Sequence, residues 1–87
     1  MKIKANFVLR QIASVWVVLP LGNAALDFRE MLTLNESGVL LWRLMKEGCD
    51  REDLVTALLT EYDVSRSVAE ADADEFVEKL RSAGCLE

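Results

Sequence analysis

The run Leu26 to Trp42, L-D-F-R-E-M-L-T-L-N-E-S-G-V-L-L-W, changes its period at one residue, and that change limits what the chain can fold into. Leu26, Phe28, Leu32 and Leu34 share one parity, and Asp27, Arg29 and Thr33 take the other, which is strand alternation broken only at Glu30. At Asn35 the spacing becomes helical. The Asn side chain can accept the orphan N–H groups of a first helical turn, and Val39, Leu40, Trp42 and Leu44 follow as apolar positions. A strand therefore runs into a helix without a linker. Its alternating charges suit a sheet edge.

Upstream, Phe7 to Ile12 reads as a first strand. Ser14 to Leu21 is the strongest strand signal, rich in β-branched and aromatic residues and apolar on both parities. Pro20 lacks a ladder donor, so pairing is expected to fail near it. Gly22 and Asn23 signal a turn. Ala25 to Leu34 then completes a three-stranded antiparallel meander, with a bulge or a split at Arg29 and Glu30.

Downstream, three helices are expected. The first spans Glu36 to Glu47, with Gly48 as a left-handed stop. The second opens at Asp50, with Glu52 and Asp53 in its first turn, and buries Leu54, Val55, Leu58, Leu59 and Tyr62. The third opens at Ser65 or Ser67; Ser67 and Glu70 have capping-box spacing. Its apolar face holds Val68, Ala69, Ala73, Phe76, Val77, Leu80 and Ala83, and Gly84 ends it. Eighty-seven residues without repeats or linkers make one domain, 1–87. The order predicts an α+β, winged-helix-like fold: a three-stranded antiparallel sheet followed by three helices.

Charge excludes some functions. The net charge is −5, and it is divided between a first part, residues 1–34, at +2 and a remainder at −7. A recognition helix needs cations for phosphate and base edges. Here the third helix sets Arg66, Lys79 and Arg81 against Glu70, Asp72, Asp74, Glu75 and Glu78, so no nucleic acid partner is expected. The apolar run Val15 to Leu21 is far shorter than the roughly 20 residues of a membrane span. Arg10 cuts short any signal-peptide core. A cytoplasmic protein is expected.

Chemistry is sparsely provided. Histidine is absent, and no Ser, Thr or Cys sits in a nucleophile motif, so no enzyme is expected. Cys49 and Cys85 fall short of the four ligands of structural zinc, so no metal or cofactor is expected, and both read as small buried hydrophobes. Trp16 and Trp42 read as core. Met31, on the outward parity, suits an adaptable contact surface. Asp72 precedes Phe76 by one helical turn and borders the apolar stripe, as a rim charge or as a polar contact to a guest. The edge itself, with Asp27, Arg29 and Glu30, is open to two readings, a strand blunted by charge or a receptor for an added strand.

The motif L-T-L-N-E-S-G-V-L-L-W resembles the pattern Leu-Asn-x-[Ser/Thr]-[Gly/Ala] with a following apolar helix found in PqqD-like proteins. G-C-D-R-E-D-L-V-T-A-L-L-T-E-Y-D-V is similar to that family's second helix, and A-D-A-D-E-F-V-E-K-L-R-S-A-G-C-L-E to its closing helix. The resemblance covers nearly the whole chain from Phe7. It implies a RiPP recognition element, a non-catalytic adaptor that binds the leader of a ribosomally made precursor peptide and presents it to a modifying enzyme, often a radical SAM protein. It further implies that the leader adds as a strand beside Asp27, Phe28, Arg29, Glu30, Met31, Leu32 and Thr33. Asp72, Glu75, Phe76 and Lys79 would wall the groove. The stretch V-W-V-V-L-P-L-G-N-A-A-L-D-F departs from members serving pyrroloquinoline quinone synthesis and favours another modified peptide. The other readings are a winged-helix DNA-binding regulator, argued from shape alone, and a structural subunit. The chain is expected as a monomer or a strand-swapped dimer.

Overall fold

The structure is a computed structural model that describes residues 1–27 and 32–87, with Asp27 by its backbone alone. Two antiparallel strands open it, β1 (Phe7–Ile12) and β2 (Val15–Pro20). Their two-residue turn, Ala13-Ser14, places Ala13 at φ +57°. A short helix, α1 (Ala24–Asp27), and a third strand, β3 (Leu32–Leu34), follow. Then come α2 (Glu36–Glu47), α3 (Arg51–Glu61) and α4 (Arg66–Ser82). The sheet order is β1-β2-β3, antiparallel throughout. The expected α+β architecture is present.

The direction of the strand hydrogen bonds follows from one contact. Leu21 N–H donates to the Asn6 carbonyl at 2.8 Å, and these residues continue the register Phe7↔Pro20, Val8↔Leu19. In an antiparallel ladder, bonded pairs alternate with non-bonded ones. The even residues of β1 therefore face β2, and Trp16, Val18 and Pro20 direct their backbone toward β3. Pro20 lacks an N–H only on that side. The expected loss of pairing at Pro20 does not occur on the β1 side, where it stands opposite Phe7.

The expected strand from Ala25 is corrected at its start. Ala24, Ala25 and Leu26 donate to Leu21, Gly22 and Asn23 at 3.1–3.2 Å, a helical turn closed straight after β2. Gly22, at φ +57°, supplies the reversal. The two alanines prefer helix over strand, and Leu26 is 74% exposed rather than turned inward. Asp27 thus ends α1 instead of opening an edge strand. Phe28, Arg29, Glu30 and Met31 lie outside the described residues.

Helix caps agree with expectation at all three starts, Ser65 being one of the two residues expected to open α4. Asn35 Oδ1 accepts from Gly38 N at 2.9 Å. Asp50 and Asp53 form a reciprocal capping box at 2.9 and 3.0 Å. At α4 the cap is Ser65, whose Oγ accepts from Val68 N. The Ser67–Glu70 box does not form, because Glu70 turns to Arg51. Gly48 follows α2 at φ +99° and ψ 129°, a positive φ outside the left-handed helical region. On α2 the buried face is Val39, Leu41, Trp42 and Met45; Leu40 and Leu44 are only half-buried. Val68 is 45% exposed rather than core.

The core lies where the inner sheet face meets the helices, around Phe7, Val18, Leu34, Met45, Leu54, Leu58, Phe76 and Leu80. Ile3 belongs to it and is 1% exposed. The first residues thread between the end of α2 and the last residues. Ile3 N donates to Met45 O, Lys4 N to Cys85 O and Glu87 N to Lys2 O, at 2.9–3.0 Å. Arg51 grips Asp74 through two bonds of 2.6 and 2.9 Å and reaches Glu70 at 3.3 Å, tying α3 to α4.

Candidate functional site

β3 is an edge, and its three residues divide their work by parity. Leu32 and Leu34 are buried and pair with Val18 and Trp16. Because the backbone of Trp16 and Val18 faces β3, Leu32 and Leu34 complete that ladder. Thr33 then directs its N–H and C=O outward. An independent contact agrees: Lys79 Nζ, from α4, donates to Thr33 O at 3.2 Å. This bond sets α4 along the outer flank of β3.

Beside this edge is a hollow of about 210 Å³ between the start of α2 and α4. The four residues proposed for the helix wall, Asp72, Glu75, Phe76 and Lys79, all line it. Their spacing of three, four and seven residues places them on one helix face. Phe76 is 8% exposed and joins the wall to the core. Leu32 and Thr33 are on the edge as expected.

Sequence reading missed the opposite wall, formed by Asn35, Ser37 and Gly38 with Leu41 and Leu58 deeper. The signal was present in the cap. An Asn at that position fixes where the helix starts, and the first turn after it fronts the hollow. Gly38 keeps the wall close. A Cβ there would stand 3.2 Å from Leu34 Cβ and 3.4 Å from Phe76 Cε1.

The electrostatics of α4 are unequal around its circumference. Asp74 is held below the usual carboxylate range by its bonds to Arg51. The Arg66 guanidinium is raised by Glu52, with bonds of 2.5 and 2.8 Å. Glu78 pairs with Arg81 at 2.8 Å. Among the described residues, Asp72 and Glu75 have no ion-pair partner, so their carboxylates face the hollow uncompensated. All three cations of α4 are thus engaged, Arg66 and Arg81 by carboxylates and Lys79 by Thr33 O. A phosphate backbone would meet Arg66 and Arg81 already neutralised by carboxylates.

The thiols lie away from the hollow. Cys85 is buried, and burial pushes its pKa up to about 11. Cys49 is half-buried and is also raised, mainly by burial. No group of three or more His, Cys, Asp or Glu among the described residues is placed to hold a metal ion. No helix among them is long and apolar enough to cross a membrane.

These features define a class: a small sheet-and-helix domain with an outward strand edge at β3 and a helix-walled hollow beside it. The profile of coenzyme PQQ synthesis protein D (PqqD) matches residues 16–86, and the chain belongs to that family. Two solved structures share the fold. TbiB1, solved in complex with the TbiA(beta) leader peptide, is 31% identical, with a TM-score of 0.79, covering 100% of this chain and 95% of that one. Lasso peptide synthetase B1, complexed with its leader peptide, is 25% identical, with a TM-score of 0.75, covering 97% and 93%. No curated protein matches the chain significantly.

Proposed function

We propose that this protein is a non-catalytic cytoplasmic adaptor that binds the leader of a ribosomally made precursor peptide and presents it to a modifying enzyme. The observation that carries the reading is the outward N–H and C=O of Thr33 beside the hollow walled by Asp72, Glu75, Phe76 and Lys79. An extended guest gains backbone bonds from the edge and side-chain selection from the hollow. Both structural relatives are leader complexes, which supports the same class of guest here. Asp27, Phe28, Arg29, Glu30 and Met31 remain proposed contacts. Met31 shares the sequence parity of Thr33.

The resemblance implies a radical SAM enzyme as the recipient. A lasso-type synthetase is the second reading, and the specific observation favouring it is the second relative's own name. Reconstituting modification of the precursor with each enzyme class, with and without this chain, separates the two.

The primary test is a titration of fluorescein-labelled leader, followed by anisotropy and by amide chemical shifts. Saturable binding is expected, with shifts gathered at Thr33, Asp72, Glu75, Phe76 and Lys79. Absence of saturable binding, or shifts confined to β1, overturns the proposal. Mass in solution is measured alongside, since a strand-swapped dimer would occupy the β3 edge with the protein's own chain.

A further inference from the structure

A second groove lies at the other edge of the sheet. Its volume is about 560 Å³, and it shares no lining residue with the first. Val8, Leu9, Trp16 and Trp42 form an apolar floor. Arg10, Arg43 and Lys46 stand around it, with Glu47 as the one acidic lining residue. This concentration of cations is unusual in a chain of net charge −5.

The cations are positioned rather than scattered. Arg43 lies over the Trp16 ring at 5.7 Å, a cation–π contact that keeps the guanidinium at the groove. Lys46 Nζ donates to Phe7 O at 2.6 Å and Lys4 O at 3.3 Å, and Arg10 Nη1 donates to Leu9 O at 3.2 Å. Phe7 and Leu9 have the outward parity of β1. Each of these carbonyls accepts a bond from a cation, and the charged side chains that make those bonds stand along β1 in the path of an added strand. A guest at this edge enters through its side chains, an apolar one on the tryptophan floor and carboxylates on the rim.

We infer that this groove docks an acidic, apolar-tipped segment of a partner protein, with the modifying enzyme as that partner. The assignment of the partner rests on the proposed adaptor function. α2 serves both grooves: Ser37, Gly38 and Leu41 line the leader hollow, and Trp42, Arg43, Lys46 and Glu47 line the second. One rigid helix thus sets the distance between leader and partner. The apolar floor favours a side-chain anchor over a flat anionic membrane surface. The acidic remainder of the chain disfavours a nucleic acid polyanion.

The test uses a defined probe, the peptide Ac-Glu-Glu-Trp-Leu-Glu-Glu-NH2, and its twin with glutamine at the four acidic positions. Each is titrated into the protein already saturated with labelled leader. The acidic peptide is expected to shift the Trp16 and Trp42 indole resonances and the Arg43 amide without displacing leader. The glutamine twin is expected to bind at least about tenfold more weakly, and R43E and R10E to cost the acidic peptide about fivefold each. Equal binding of the twin, no binding, or shifts at Thr33 and α4 overturns the inference. So does leader itself shifting the tryptophans, or concentration-dependent dimerisation that buries them. R43E keeping its leader affinity shows that the adaptor function stands independently; loss of leader binding by wild type shows that it fails, whatever the probe does.

Discussion

Thr33→Pro isolates the backbone group on which the proposed leader binding depends. Leu32 and Leu34 make the ladder to β2, so removing the Thr33 N–H leaves that ladder intact. Proline is tolerated where a strand's N–H faces outward, and its constraint on the preceding residue favours the extended form that Leu32 already has. The variant should therefore fold, with an unchanged far-UV circular dichroism spectrum. The bound leader would lose one neutral hydrogen bond and leave its own carbonyl without a partner, together about 1–3 kcal/mol. That corresponds to a rise in Kd of about 5- to 150-fold. Thr33→Ala keeps both backbone groups and should stay within about threefold of wild type, since only an exposed side chain changes. Anisotropy titration of labelled leader measures all three proteins. Folded Thr33→Pro binding within twofold of wild type would refute strand addition at this residue. An equal loss in Thr33→Ala would move the interaction from the backbone to the side chain.

Other residues give sharper readings of stability. Gly38→Val overpacks the contact with Leu34, Asn35 and Phe76 and should lower unfolding free energy by about 1–3 kcal/mol in a urea titration. Ala13→Asn relieves a left-handed turn residue and should raise it by up to about 1 kcal/mol. Asp74 is depressed by Arg51, so the folded state holds its proton less tightly than the unfolded state. That stability is present above the ordinary Asp range and is lost as pH falls through the depressed value. The denaturant midpoint should drop below about pH 4, where an ordinary Asp takes up its proton, and Arg51→Gln should flatten that limb. Cys85, buried and raised to about 11, should react with Ellman's reagent at pH 8 more slowly than Cys49, which exposes part of its surface; equal rates would show that the carboxy-terminal segment opens.

What could be read from the sequence was local. The Asn35 and Asp50 caps concern side chains three residues from their targets, and both formed. The helix wall Asp72, Glu75, Phe76 and Lys79 came from the family resemblance; their helical spacing is compatible with one face, and all four line one hollow. The failures need partners distant in sequence. Pro20 is harmless to β1 only because the register turns its missing donor the other way. The Ser67–Glu70 box fails because Ser65 caps α4 and Glu70 pairs with Arg51, 19 residues away. Ile3 is core because its segment threads between the end of α2 and the last residues, bonded to Met45 O and bridged to Leu86. At Ala24 to Asp27 a strand-like alternation competed with alanine's helical preference immediately after a reversing glycine, and the local turn won.

The two sheet edges explain each other. An open edge invites pairing by any extended chain, so a small sheet must protect what it does not use. β1 has six residues and is the longer hazard, and two of its carbonyls are covered by Lys46 and Arg10. β3 has three described residues, and its single outward residue keeps an N–H that no described side chain approaches; Lys79 takes only one lone pair of its carbonyl. A carbonyl can accept a second bond, so Lys79 need not leave when a guest strand arrives. Charged side chains thus stand along β1 while the outward N–H of β3 stays open, and the proposed division of labour follows: the leader at β3, and partners recognised by side chains at β1.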